Sequence, residues 1–187
     1  MKIVIDAFGG DNAPLSNIEG AALAVKEYDA QIILCGDEQK IKQCASENNI
    51  SLEGIEILHA DDVFDVHDDP NLLLKSKSNT SLAVSFKAVK DGLADAVISA
   101  GSSGAVLMGG TFIVKRIKGI KRPALAAILP TTKGNFMLMD IGANAECRPE
   151  MLVQFGVMAS VYMEKVEGRQ NASIGLLNIG TEDTKGG

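Results

Sequence analysis

Glycine in this chain falls repeatedly just after short apolar runs, beside Asp, Asn, Ser or Thr. The segments are Phe8-Gly9-Gly10-Asp11-Asn12, Ala100-Gly101-Ser102-Ser103-Gly104, Ile141-Gly142-Ala143-Asn144 and Ile179-Gly180-Thr181-Glu182. Glycine lets backbone N–H groups approach a ligand closely. Helices that begin beyond such loops point their positive ends at the same place. The chemistry this suits is holding an anion. A βα turn needs glycine in any case, so one loop alone separates nothing. Several such loops carrying convergent polar groups favour a shared site. Neither a Walker A sequence nor a G-x-G-x-x-G spacing is present, so no nucleotide cofactor is indicated.

Side chains for covalent catalysis are scarce. Cys147 lies near the third loop, but His59 and His67 fall in an acidic region, and a Cys–His pair needs its base within hydrogen-bond reach. Packing is the better reading of Cys147. A co-substrate that is itself a nucleophile needs no such residue. The stretch 61–69 (DDVFDVHDD) is dense in carboxylates, yet it lacks an ordered ligand spacing and reads as a solvated loop rather than a metal site. No metal is expected.

Apolar β-rich runs alternate with helical patterns, which is the arrangement of βαβ units around a parallel sheet. Strands are expected at Lys2–Asp6, Gln31–Cys35, Ile55–Leu58, Asp95–Ser99, Ala124–Leu129, Phe136–Asp140 and Ser173–Asn178. Helices fit Leu15–Tyr28, Glu38–Asn48, Thr80–Asp91, Ser103–Lys118 and Glu150–Glu167. Several strands are apolar throughout, as when helices cover both faces of a sheet. The segment 130–135 (PTTKGN) suggests a hairpin loop, which makes the sheet mixed. In a parallel sheet the strand carboxyl ends share one rim, so the glycine loops would converge on one cleft.

The 187 residues suit a single α/β domain. Hydrophobic residues make up 46% and charged residues 22%, which excludes disorder. A net charge of -6 and the absence of Trp argue against nucleic acid. Three scattered cysteines make neither a disulfide scaffold nor a zinc site, and reduced cytoplasmic thiols fit them. Asp6 interrupts the first apolar run, so no signal peptide is read there. The uncharged stretch from Ala96 to Val114 is broken by Gly101 to Gly104, which argues for strand, loop and helix rather than a membrane span.

At the glycine loops the chain resembles the bacterial phosphate acyltransferases of phospholipid synthesis, the acyl-ACP:phosphate acyltransferases called PlsX. The segments carrying the resemblance are DAFGGDNAP (Asp6–Pro14), SAGSSGAVLMG (Ser99–Gly109), RPALAAILP (Arg122–Pro130), DIGANAECRPEMLVQFGVM (Asp140–Met158) and LLNIGTEDTKG (Leu176–Gly186). Phe8 stands where Met is usual, Ser102-Ser103 where Asn-Thr is usual, and Glu146 where Asp is usual. The family continues well past this chain's last residues, so the resemblance implies the amino-terminal part of a longer domain.

The resemblance further implies a three-layer α/β/α sandwich like that of isocitrate and isopropylmalate dehydrogenases. It implies a homodimer in the cytoplasm, with peripheral membrane association. The implied reaction moves a fatty acyl group from acyl-[acyl carrier protein] to inorganic phosphate, without a cofactor, and its acyl phosphate feeds a membrane acyltransferase. Read onto these positions, Asp11, Asn144 and Lys185 become the catalytic candidates. Gly9, Gly10, Asn12, Ser99, Gly101, Ser102, Ser103, Gly104 and Asn178 become the phosphate and substrate candidates. The basic run containing Lys115, Arg116, Lys118, Lys121 and Arg122 becomes a docking candidate for the acidic carrier protein, although helix-end stabilisation also explains it. A phosphotransacetylase acting on acyl-CoA, or an inactive phosphate- or acyl-binding fragment, remains an alternative.

Overall fold

A computed structural model describes residues 1–178. Where the sequence reads as one α/β domain, contacts divide the chain into two compact units, Met1–Lys118 and a second that starts at Gly119.

The first unit runs β1 (Lys2–Asp6), α1 (Leu15–Tyr28), β2 (Gln31–Gly36), α2 (Glu38–Glu47), β3 (Ile55–His59), a 3-10 turn (Pro70–Leu74), α3 (Ser81–Lys90), β4 (Ala96–Ile98) and α4 (Ser103–Met108). Its four strands lie in the order β3-β2-β1-β4, all parallel. The register sets Asp6 beside Cys35 on one side, and Ile5 beside Ile98 on the other. Alternation along the strands decides what each face buries. Ile5, Ile32 and Leu34 pack with Ile18 and Ala21 of α1 and Ile41 and Ala45 of α2. Val4, Ile33 and Cys35 pack with Ala88 of α3 and Ala94. With helices on both faces, the unit is three-layered, and this explains why its central strands are apolar throughout.

The helix starts follow local chemistry. Asp37 accepts from the Lys40 N–H at 3.1 Å, and Thr80 and Ser102 cap α3 and α4 in the same way. The acidic stretch is folded rather than loose. Phe64 is buried with Leu73, Leu82, Phe86 and Ala105, while Lys77 pairs with Asp62 at 3.3 Å and Asp68 at 3.6 Å.

The helix expected over Ser103–Lys118 ends early. After Met108 the backbone widens into a π-helical stretch, Gly109–Lys115. Two causes are visible there. Gly109 lies directly against the Phe86 ring with no room for a Cβ, and the Thr111 hydroxyl donates back to the Leu107 carbonyl at 2.6 Å. Among the described residues no helix is long and apolar enough to cross a membrane.

The second unit holds the expected hairpin, β5 (Ala126–Thr131) and β6 (Gly134–Met139), followed by α5 (Pro149–Lys165). The hairpin pairs Ala126 with Met139 and Thr131 with Gly134, whose φ of 110° only glycine adopts readily. It forms a two-stranded sheet of its own, so antiparallel and parallel pairing belong to different sheets rather than to one mixed sheet. Helix α5 starts with Pro at its first turn and buries Met151, Phe155 and Met163. The strand expected at Ser173–Asn178 is not formed; those residues carry no regular structure. β-branched and apolar content there suggests a strand, but among the described residues the two sheets include no strand from this segment.

Candidate active site

The winding of the first unit reverses at β1. From β1 the chain winds through α1 to β2 and through α2 to β3, then α3 carries it to β4 on the opposite side of β1. In open parallel sheets, ligands bind at the strand carboxyl ends where the order reverses. Here those ends are Asp6 of β1 and Ser99, just past β4.

Asp6 is 3% exposed. Its Oδ1 accepts from the Ser81 hydroxyl at 2.6 Å and from the Phe8 N–H at 3.3 Å, and its Oδ2 accepts from the Ser99 hydroxyl at 2.8 Å. The Ser99 oxygen in turn accepts the Gly101 N–H at 3.1 Å. The two glycine turns are therefore tied to one carboxylate, and they touch. A Cβ on Gly9 would lie 2.6 Å from Asp6 Oδ2, 2.7 Å from Ser99 Oγ and 3.0 Å from the Gly101 nitrogen. Gly10 has φ +99° and faces Ala100, where a Cβ would come within 3.0 Å of the alanine methyl. Asn17 of α1 fixes the first turn from beneath, because its amide donates to the carbonyls of Asp6, Ala7 and Gly9 at 3.2, 3.1 and 2.8 Å. Gly10, Asp11, Asn12 and Ser103 are exposed at the surface of this pair of turns.

Several expected residues thus meet: Gly9, Gly10, Asp11 and Asn12 in one turn, and Ser99, Gly101, Ser102, Ser103 and Gly104 in the other. Their roles divide. The Ser102 side chain caps α4, the Ser99 hydroxyl is engaged with Asp6, and Gly104 lies close against Pro70. Asp6, Asn17 and Ser81 were not singled out from sequence. An ionisable residue at the end of an otherwise apolar strand is a signal that points to Asp6. Nothing local marks Ser81, inside the first turn of an apolar helix.

Asn144 belongs to the second unit. Its amide donates to the Pro123 carbonyl at 2.9 Å and to Asp140 Oδ2 at 3.0 Å. Asp140 also accepts the N–H groups of Leu125, Ala143 and Asn144 at 2.8, 3.1 and 2.8 Å. Burial pushes this carboxyl up, but the Asn144 amide and the three N–H groups outweigh it and hold it below the usual carboxylate range. Asn178 lies in irregular chain, and Lys185 and the Gly180 loop lie outside the described residues. Of the basic run, Lys121 reaches Glu150 at 3.4 Å, and its N–H donates to Gln154. Lys115, Arg116, Lys118 and Arg122 are exposed.

His59 is engaged at the start of α2, accepting the Glu38 N–H at 3.3 Å and contacting Asp61 at 3.0 Å. Burial pushes the Cys35 thiol up to about 11, against a hydrogen bond with Ser85 that lowers it. Neither group supplies a nucleophile–base pair. Among the described residues no group of His, Cys, Asp or Glu could hold a metal ion. A cavity of about 530 Å³ runs beside α1, lined by Ile3, Ile5, Ala21, Tyr28, Ile32 and Ile98 among others. Its walls are mainly apolar, Ser16, Asn17 and Asp29 being the polar exceptions, and no basic side chain lines it to attract an anion.

Comparison with known proteins gives this geometry a context. The profile of a family described as "Fatty acid synthesis protein" matches residues 1–187. Curated relatives named phosphate acyltransferase include one from Alkaliphilus oremlandii, 48% identical over 186 residues, and one from Clostridioides difficile, 45% identical over 187 residues. Another, from Bacillus cereus, is 48% identical over 188 residues. Each alignment covers 100% of this chain, which spans only 55–56% of those relatives' length. Among solved structures, the EutD phosphotransacetylase from Staphylococcus aureus superposes with a TM-score of 0.67 at 19% identity, over 87% of this chain and 52% of that one. A phosphotransacetylase from Streptococcus pyogenes gives 0.68 at 17% identity, over 90% of this chain and 55% of that one. These structures share the fold. With its whole length matched and close to half of its residues identical to those relatives, the chain belongs to the fatty acid synthesis protein family.

Proposed function

We propose that this chain carries the phosphate-binding part of an enzyme that transfers a fatty acyl group from acyl-[acyl carrier protein] to inorganic phosphate. The observation that carries the reading is the pair of stacked glycine turns at the reversal point of the sheet, in a chain whose relatives are named phosphate acyltransferases. A phosphate oxygen attacks the thioester carbonyl, a tetrahedral oxyanion forms, and the carrier's thiolate departs, leaving acyl phosphate. Phosphate is its own nucleophile, so the absence of a Cys–His pair among the described residues poses no difficulty.

The protein's tasks are positioning, worth up to ~7–11 kcal/mol in ideal systems, and oxyanion stabilisation, worth ~3–4 kcal/mol per donor. Phosphate lies against the exposed Gly10 to Asn12 and Ser103, with half-buried Ser102 beside them. Asp11, exposed beside it, accepts a proton or hydrogen bond from monohydrogen phosphate. Lys185 is the candidate compact cation, and Asn178 is a further substrate candidate. Asn144 acts by shaping its turn, since its amide is engaged with Pro123 and Asp140. The basic residues from Lys115 to Arg122 receive the acidic carrier protein. The enzyme works as a cytoplasmic homodimer and passes its product to a membrane acyltransferase.

The test is phosphate-dependent appearance of free carrier thiol from acyl-[acyl carrier protein], read with a thiol reagent beside acetyl-CoA as donor. The expected result is release from the acyl carrier alone, with the KM for phosphate raised by Lys185→Gln. Release from acetyl-CoA alone would make the enzyme a phosphotransacetylase. No phosphate-dependent release from either donor would leave a non-catalytic fragment.

A further inference from the structure

We infer that Asp6 is a positioning residue of the phosphate site, acting through Ser99 on the two glycine turns; this rests on the function proposed above. A buried carboxylate is costly unless its oxygens are fully hydrogen-bonded. A strand end needs no charge, so an Asp that is 3% exposed calls for a reason. The reason lies in where its donors come from. Phe8 belongs to the first turn, Ser99 to the second, and Ser81 to the start of α3.

The Ser99 branch reaches the proposed site. Ser99 Oγ donates to Asp6 and accepts the Gly101 N–H, so the carboxylate fixes the hydroxyl and the hydroxyl fixes the turn. Gly9 has no free space beside Asp6 Oδ2, Ser99 Oγ and the Gly101 nitrogen. A shift of any one of these moves the others. Misplacement of a bound reactant by about 1 Å can cost about a hundredfold. Asp6 itself does not touch phosphate. Its oxygens already accept from Ser81, Phe8 and Ser99, and the residue is buried. The Ser81 branch runs the other way, into α3, where the Ser85 hydroxyl donates to the Ser81 carbonyl at 2.8 Å.

That division makes the inference testable. Ser99→Ala and Ser81→Ala each remove one bond to the carboxylate, whereas Asp6→Asn replaces the carboxylate itself. In the phosphate-dependent thiol assay, Asp6→Asn and Ser99→Ala should raise the KM for phosphate about tenfold, the effect of one positioned charge-assisted hydrogen bond, while the KM for the acyl donor holds. Ser81→Ala should lower Tm and leave both KM values unchanged. If all three lower Tm and none changes the KM for phosphate, Asp6 is structural and the inference falls. Should Asp6→Asn fail to fold, Ser99→Ala decides alone, since it keeps the carboxylate with its other donors. If the wild-type chain shows no phosphate-dependent release, the proposed function fails separately, and stabilisation by inorganic phosphate becomes the readout. A phosphate-induced rise in Tm for wild type and Ser81→Ala, lost in Ser99→Ala, supports the inference. An equal rise in all, or none in wild type, overturns it.

Discussion

Asp6 and Asp140 each stand at the carboxyl end of a strand and organise the turn that follows, yet different reaches of the chain hold them. Asp140 is satisfied by its own neighbourhood: Ala143 and Asn144 follow within four residues, and Leu125 is 15 residues away across the hairpin. Asp6 takes its hydroxyl donors from Ser81 and Ser99, 75 and 93 residues away. The first turn is held by the tertiary fold through donors from distant segments; the second is a local device anchored on the half-buried Asp140. A carboxylate held by its own loop shapes that loop, whereas one held by three segments sets the loops against one another.

Removing each carboxylate should break the comparison open first. Asp6→Ala strands the buried Ser81 hydroxyl together with the half-buried Ser99 hydroxyl and Phe8 N–H, and should cost about 3 kcal/mol. Asp140→Ala, at a half-buried position, should cost about 1 kcal/mol. Urea unfolding measures both, and equal losses would mean that the two anchors are equivalent.

The turns themselves give the next largest contrast. Gly9→Ala forces a methyl into Asp6 and Ser99 and should destabilise by about 2–3 kcal/mol. At Gly142, φ is +117° but nothing lies within 4 Å, so Gly142→Ala should cost about 1 kcal/mol of backbone strain alone. A Gly9→Ala protein as stable as wild type would mean that the stacked turns have slack.

pH sharpens the comparison with the smallest effect. Asp140 is held below the usual carboxylate range, so its contribution is present above the ordinary carboxyl value and is lost as pH falls through the lowered one. Behind Asp6, Cys35 is displaced upward from 9.0 to about 11, so its contribution is full below 9.0 and is lost as pH rises towards 11. Acid should loosen the Asp140 turn first, and alkali the sheet beside Asp6. Thiol alkylation near pH 8 should label the partly exposed Cys44 and Cys147 while sparing buried Cys35. Prompt labelling of Cys35 would contradict its burial.

Much of this was legible in the residues. Lys2–Asp6 and Leu15–Tyr28 fall where periodicity places them, and the Pro130–Asn135 segment turns a hairpin as its Gly suggests. Legibility failed where contacts outweighed pattern. The helix from Ser103 changes to π geometry because Phe86, from another helix, sits on Gly109. Ser173–Asn178 looks like a strand, but those residues take no regular structure. Ser99 was legible as a site residue, but its hydroxyl serves Asp6 rather than facing outward.

The family came from the resemblance of several ordered segments, while local spacing alone determined the class of the elements and the glycine turns after the strands. Those are properties of short stretches, set by side-chain periodicity and by backbone angles only glycine adopts readily. The meeting of Asp6, Ser81 and Ser99 was decided by the order β3-β2-β1-β4, which lays β4 against β1 and brings together residues far apart in the chain. No short window encodes that order, because it follows from which faces the helices can bury at once.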